Sequence, residues 1–195
     1  MPEAREKLCQ AWLSCSDSLG EKGRGQLMAR FGTARQAYNQ FSGEVAQLIG
    51  EKAYSELAKL RDKGIDKLEQ ALTRDKISLC MPGDGHYPEQ LAQIPDLPPL
   101  LFYRGSLSKD VPRAIAIVGS RRETRYGREQ AFRIARDLAA SGVVIVSGLA
   151  RGVDTAAHKG ALAASGRTIA ILGSGIKRIY PRENEELAEQ IIATG

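Results

Sequence analysis

The stretch AIAIVGSR, residues 114–121, decides the fold, because a short apolar run is followed at once by glycine and arginine. The same arrangement returns in VVIVSGLARG, residues 143–152, and in TIAILGSG, residues 168–175. Each apolar run (114–118, 143–147 and 168–172) has the length and β-branched content of a buried strand, and a helical pattern follows each glycine loop. Three strand–loop–helix units in succession predict an α/β fold with a mostly parallel, doubly wound sheet. In the first of these helices, the predicted apolar stripe consists of Ala131, Ile134, Ala135 and Leu138.

The loops that follow these strands concentrate positive charge. In a parallel sheet all such loops lie at one edge, which is where ligands bind. Glycine allows a close approach of the backbone, and a guanidinium fork matches phosphate oxygens. The edge therefore predicts a phosphate-binding surface, with tight turns and ordinary surface arginines as the plainer alternative. The basic residues in or beside the loops are Arg121, Arg122, Arg125, Arg151, Lys177, Arg178 and Arg182.

Composition supports an anionic partner. The net charge is only +5, but residues 113–182 contain 13 Lys and Arg against 4 Asp and Glu, so a basic module adjoins a mildly acidic remainder. The three cysteines form no Cys-x-x-Cys pair, which predicts neither a disulfide framework nor a metal site. The charged N-terminus and the lack of a long apolar run predict a cytoplasmic protein without a membrane segment.

The chain is predicted to contain two domains. Residues 1–72 carry helical periodicity interrupted by glycines, which indicates a bundle of about four or five short helices. Within it, Thr33 fits an N-cap, and Gln36 three residues later completes a capping box. Residues 73–195 contain two possible short strands, 77–80 and 100–103, which could extend the sheet, and then the three repeated units. The chain ends directly after the third helix, where a parallel sheet would continue, so the sheet is expected to be truncated at the C-terminus. Residues 19–25 faintly resemble a helix-hairpin-helix glycine turn, although a plain interhelical turn is favoured.

Several common functions do not fit the motifs. In the GxGxxG dinucleotide motif that would begin at Gly173 and Gly175, the third glycine is replaced by Arg178. No acidic residue stands at the end of the strand before Gly148 to bind a ribose, so classical dinucleotide binding is not expected. No phosphate-binding GxxxxGK[ST] motif occurs, and no cofactor is predicted. Tyr180 precedes a proline in a polar loop, where its ring either stacks on a base or packs in the turn.

Asp154 and His158 are four residues apart on one predicted helix and could face each other. A catalytic pair would need a nucleophile or a metal, and the sequence offers neither. The pair is therefore predicted to support the loops, with Asp154 as a helix cap that braces the second loop.

Three segments together resemble one family. AIVGSRRETRYG, SGLARGVDTAAHKGAL and GRTIAILGSGIKRIYPREN are similar in order and spacing to the DNA-processing protein A (DprA, also called Smf) family. YPEQLAQIPDLPPLLFYRGSL resembles the family's lead-in more loosely. The resemblance implies a Rossmann-like domain preceded by a small all-helical domain similar to a sterile alpha motif.

The resemblance also implies a function. The family suggests a cytoplasmic, non-enzymatic protein that binds single-stranded DNA and loads RecA recombinase onto it during natural transformation in competent bacteria. It also suggests a homodimer for the full-length protein, with the dimer and RecA contacts expected beyond this chain's end. The residues expected to bind DNA are Gly119, Ser120, Arg121, Arg122, Gly148, Arg151, Gly152, Gly173, Ser174, Gly175, Lys177, Arg178 and Tyr180, with Arg121 as the leading phosphate contact.

Two other functions remain open from the residues alone. One is a nucleotide-processing enzyme, such as a nucleotide hydrolase, on a Rossmann-like scaffold with Asp154 as its base. The other is a regulatory domain that binds a mononucleotide.

Overall fold

The computed structural model describes residues 2–109, 111 and 113–194, which form two compact units. The first unit contains residues up to 84 together with 96–102, and the second contains 85–95 and the residues from 103 onward. The division into domains at residues 72 and 73 stays a prediction.

The first unit is helical and is organised around one tryptophan. The indole N–H of Trp12 donates to the Leu57 carbonyl oxygen at 3.0 Å, and Tyr38 and Phe41 contact its ring edge to face. A buried indole with a satisfied N–H anchors the bundle core. The helices of this unit are α1 (Pro2–Ser14), α2 (Glu21–Phe31), α3 (Ala34–Asn39), α4 (Val45–Ile49), α5 (Glu51–Asp62) and α6 (Ile65–Arg74).

Two local predictions in this unit have different outcomes. Thr33 accepts a hydrogen bond from the Gln36 backbone N–H at 3.1 Å, which confirms the predicted N-cap of α3. The resemblance of residues 19–25 to a glycine hairpin is wrong, because Gly23 and Gly25 lie inside α2. Gly20 is the only glycine of that run outside the helix, where it serves as the N-cap.

The three predicted parallel strands are present and slightly shorter than expected. They are β3 (Ala114–Ala116), β4 (Val144–Ser147) and β5 (Thr168–Ala170), in the order β3-β4-β5 with both pairings parallel. The two earlier strands, β1 (Ser78–Cys80) and β2 (Leu101–Tyr103), were considered as extensions of this sheet. They form a separate two-stranded sheet instead.

Three helices cover one face of the parallel sheet: α7 (Arg125–Ala140), α8 (Val153–Ala163) and α9 (Glu185–Thr194). The interface of α7 with α8 is built from small residues, because Ala135 and Ala139 meet Ala157 and Ala161 in one buried cluster. Alanine and glycine let two helix backbones approach closely. Ile134 was predicted to join this stripe, but it is 48% exposed because the contact runs along the alanines at four-residue spacing.

The sheet carries exposed apolar residues at the ends of its outer strands. Val118, just after β3, is 71% exposed and Ile171, just after β5, is 62% exposed, and all three residues of β3 are exposed. An α/β architecture with a small parallel sheet and a helical N-terminal part is therefore confirmed. Within the described ranges, no helix is both long and apolar enough to span a bilayer.

Candidate nucleic-acid interface

The loops that follow β3, β4 and β5 (residues 117–124, 148–152 and 171–184) contact one another in sequence, and together we call them the loop rim. The first and second loops meet where the Val153 N–H donates to the Ser120 carbonyl oxygen at 3.2 Å. Gly152 lies in this contact with φ +84°, and a Cβ there would collide with the Ser120 carbonyl. Glycine is required at this position because the backbone has a positive φ and because the Ser120 carbonyl leaves no room for a side chain.

The second and third loops are joined by a buried amide. Asn184 is only 4% exposed, and its Nδ2 donates to the Leu149 carbonyl oxygen at 2.9 Å and to the Thr155 hydroxyl at 2.8 Å. Next to this amide, Arg151 forms a two-point ion pair with Glu183. The three loops therefore form one continuous surface at the carboxyl edge of the strands, as their order predicted.

A buried carboxylate shapes the second loop. Asp154 Oδ2 accepts hydrogen bonds from the backbone N–H groups of Gly148 at 3.2 Å and Ala150 at 3.4 Å. Asp154 lies inside α8, whose N-cap is Gly152, so it braces the loop without capping the helix as the sequence had suggested. Because these two amides bind the carboxylate, a ligand phosphate at the second loop would depend on Arg151 and on other donors.

The second loop is also fixed by a buried leucine. Leu149 has φ +57°, which is unusual for a residue with a side chain, and it is fully buried. It packs in one cluster with Leu187 and Ile191 of α9. Burial of this side chain offsets the cost of its backbone conformation.

His158 is a neutral, buried group beneath the sheet. Its Nδ1 lies 2.7 Å from the Thr168 hydroxyl oxygen, and that hydroxyl donates to the Ile145 carbonyl at 2.8 Å. Burial lowers the pKa of His158 to about 4, against the opposing effects of the Asp154 carboxylate and the Ser147 backbone. The ring is fully buried, so it lies beneath the loop rim without reaching its surface.

Four basic residues in or beside the loop rim differ in whether they are paired. Arg121 and Arg122 are exposed, and their guanidinium groups have no ion pair or hydrogen bond to any of the residues that the structure describes. The Arg122 backbone N–H donates to the Ser120 hydroxyl at 3.0 Å, which tightens the turn that presents both arginines. Arg125 and Arg182 are instead paired with Glu129 and Glu185, at 2.8 and 3.5 Å. The first loop thus offers unpaired guanidinium groups.

The third loop is an exposed turn with an aromatic residue. Ser174 donates its hydroxyl hydrogen to the Arg178 carbonyl at 2.6 Å, and Gly175 has φ +84°. Gly173, Lys177 and Arg178 are also exposed. Tyr180 is 55% exposed, whereas the neighbouring Pro181 is buried. The tyrosine ring is therefore accessible to a ligand and does not pack inside the turn.

Sequence reasoning missed the acidic and amide groups of the loop rim. Glu183 was treated as part of a loop motif, although it pairs with a residue 32 positions earlier. Glu123 is half-buried, and its carboxylate lies where a Cβ on Gly152 would be. The sequence signal was present, because an acidic side chain beside an arginine-rich loop needs a partner, but the partner depends on the fold.

Comparison with known proteins decides the family. The family model for DNA recombination-mediator protein A matches residues 78–195. The chain belongs to this family. The match covers the whole loop rim and confirms the resemblance that the three loop sequences indicated.

Individual relatives agree with this assignment. A protein named Smf from Synechocystis sp. is 45% identical over 118 residues, which cover 58% of this chain and 30% of the relative. DNA processing protein DprA from Streptococcus pneumoniae is 43% identical over 108 residues, covering 55% of this chain and 38% of the relative. The chain thus spans well under half the length of these two relatives.

Solved structures match as well. The X-ray structure of DNA processing protein A from Streptococcus pneumoniae has a TM-score of 0.66 at 30% identity, covering 93% of this chain and 62% of that one. DNA processing protein A from Helicobacter pylori has a TM-score of 0.52 at 34% identity, covering 60% of this chain and 52% of that one. The study of the Helicobacter protein describes a single-stranded DNA binding mode.

Proposed function

We propose that this chain binds single-stranded DNA along the loop rim without chemically changing it. One observation carries the proposal: Arg121 and Arg122 are exposed and unpaired on a loop that is continuous with two further glycine loops. Unpaired guanidinium groups on a basic surface favour a phosphate ligand, since charge-assisted bonds to phosphate are strong and two-pronged. The single-stranded DNA binding mode described for the Helicobacter pylori relative supports the same ligand.

The single strand of DNA follows the loop rim from the first loop to the third. Arg121 and Arg122 neutralise one or two phosphates, and Arg151, Lys177 and Arg178 contact phosphates further along. Such binding depends little on base sequence and weakens steeply with salt, because each neutralised phosphate releases counterions.

A preference for single strands comes from the third loop. The exposed ring of Tyr180 stacks on an unpaired base, and base stacking on an aromatic ring contributes about 1–3 kcal/mol per base. In a duplex the bases are already stacked and paired, so this contribution is not available without opening the helix.

In the whole protein the DNA-binding role extends to recombination. The full-length protein acts in the cytoplasm as a homodimeric mediator that loads RecA onto incoming single strands of DNA during natural transformation. The family description as a recombination mediator supports it. The test is the rate of RecA filament formation on single strands covered by single-strand-binding protein, with and without the full-length protein. An unchanged rate would contradict the mediator role.

The enzyme alternative requires Asp154 to act as a base on a nucleotide. Its carboxylate is 7% exposed, and Oδ2 already accepts from two loop amides. This engagement favours a structural role for Asp154 over a catalytic one. Turnover of any nucleotide that is lost in Asp154→Asn would favour the enzyme instead.

The experiment that tests DNA binding is a fluorescence anisotropy titration with a labelled oligothymidine, repeated from about 50 to 200 mM salt. We expect binding that weakens steeply over this range and a weaker signal with duplex of the same length. A thermal shift with free nucleotide but no oligonucleotide binding would indicate the mononucleotide-binding domain and contradict the proposal.

A further inference from the structure

Arg151 differs from the other arginines of the loop rim because a carboxylate from another loop holds its guanidinium group through two hydrogen bonds. Its Nε donates to Glu183 Oε1 at 3.0 Å, and its Nη2 donates to Glu183 Oε2 at 3.1 Å. The hydrogen bond to Glu183 also raises the pKa of Arg151. A guanidinium group has five N–H donors, so this side-on pair leaves the Nη1 edge and one Nη2 hydrogen for another acceptor.

Glu183 is itself held in place by its neighbour in the chain. Asn184 is buried, and it donates to the Leu149 carbonyl and to the Thr155 hydroxyl, both of which belong to the second loop and the start of α8. The backbone at Glu183 is therefore anchored to the same loop that carries Arg151. This anchoring gives the carboxylate a defined position relative to the arginine, although both side chains are about half exposed.

We propose that Glu183 is a positioning residue for DNA binding, which holds Arg151 by one edge so that the opposite edge meets a phosphate of the strand. This inference rests on the proposed function. An exposed arginine loses considerable rotamer freedom when it binds a phosphate, and a side chain that is already oriented loses less. Glu183 thus makes the Arg151 contact stronger even though it brings a negative charge to a basic surface.

The direction in which one substitution changes DNA affinity distinguishes this role from a purely electrostatic effect. Glu183→Gln removes a negative charge, and Coulomb's law alone predicts tighter binding of a polyanion. Positioning predicts weaker binding, because glutamine has a single acceptor oxygen and cannot pair with both Arg151 nitrogens. The matched control is Glu186→Gln, which makes the same charge change at an exposed position of α9 for which no ion pair occurs among the described residues.

The experiment is the oligothymidine titration on the 195-residue chain with both variants. For Glu183→Gln we expect roughly 3- to 10-fold weaker binding and a salt slope shallower by about 0.7, the value for one phosphate contact on a single strand. For Glu186→Gln we expect unchanged or slightly tighter binding. Tighter or unchanged binding of Glu183→Gln would overturn the inference.

A second comparison separates positioning from a structural effect. In an Arg151→Ala background, Glu183→Gln should have no further effect on affinity, since the side chain it positions is gone. An equal loss in both backgrounds would show that Glu183 acts on the loop and not through Arg151, which overturns the inference. If Arg151→Ala binds like the wild type, the inference fails while the proposed function stands. If the wild type does not bind oligothymidine, both fail.

Discussion

The Thr168 hydroxyl lies between the Ile145 carbonyl oxygen and the His158 ring, and it thereby fixes the tautomer of His158. The hydroxyl hydrogen is donated to the Ile145 carbonyl, so its oxygen can only accept from the His158 ring at 2.7 Å. Nδ1 must therefore carry the proton, and the neutral ring leaves Nε2 bare. Nε2 is buried and has no hydrogen-bond partner among the described residues. A second proton at this site would place a positive charge in the core.

The first prediction concerns the stability of the fold at mildly acidic pH. Burial lowers the pKa of His158 to about 4, whereas the same group titrates near 6.5 in the unfolded chain. Between these values the unfolded state binds more protons, so the free energy of unfolding decreases as the pH falls. We expect a loss of about 2 kcal/mol between pH 7 and pH 5, measured by urea unfolding.

The control for this prediction uses the other histidine, since the chain contains two. His158→Gln should show little pH dependence over this range, and His86→Gln should keep the dependence of the wild type. A wild-type slope that survives in His158→Gln would assign the titration to another group.

The second prediction tests the close contact of α7 and α8. A Cβ on Gly160 would collide with the Phe132 carbonyl oxygen and lie 3.1 Å from the Ala135 Cβ. We expect Gly160→Ala to destabilise the second unit by about 1–3 kcal/mol, although alanine is the better helix former. Circular dichroism during thermal unfolding measures this loss.

A helical glycine with free space around it provides the comparison for Gly160. Gly25 lies inside α2, and a Cβ there would have no neighbour within 4 Å. Gly25→Ala should stabilise the first unit by about 0.5–1 kcal/mol. The fluorescence of Trp12 reports on that unit, because the chain has a single tryptophan. Stabilisation by both alanines would contradict the close packing of α7 on α8.

Local patterns predicted the elements of the sheet because the determinants are close in sequence. The apolar runs before Gly119, Gly148 and Gly173 gave the three strands and their parallel arrangement, and only the strand ends were one or two residues too long. The N-cap at Thr33 is equally local. The edge position of the loops followed from the arrangement of any parallel sheet.

The remaining features depend on contacts between distant residues. The ion pair of Arg151 with Glu183 and the separate sheet of β1 and β2 are decided by tertiary packing, which no periodicity encodes. The exposure of Ile134 shows the same limit, since α7 could turn several faces toward its neighbour, and the small volumes of Ala135 and Ala139 decided which one is buried.

The third prediction concerns the strained leucine of the second loop. Leu149→Ala removes a fully buried side chain and should cost about 2–5 kcal/mol. Leu149→Gly removes the same contacts but suits φ +57°, so it should be about 1 kcal/mol more stable than Leu149→Ala. This order reverses the usual preference for alanine over glycine, and urea unfolding measures it. An alanine variant more stable than the glycine variant would show that the backbone relaxes.

The fourth prediction concerns the first loop. Arg121→Ala should weaken oligothymidine binding by about tenfold, because a charge-assisted hydrogen bond to phosphate is lost. The salt slope should become shallower by about 0.7. Arg133→Ala is the matched control, since Arg133 is an exposed arginine of α7 that lies outside the loop rim and donates to Gln130. If the two variants lose equal affinity, the effect is one of net charge. A loss confined to Arg121→Ala, with the shallower slope, assigns a phosphate contact to that guanidinium.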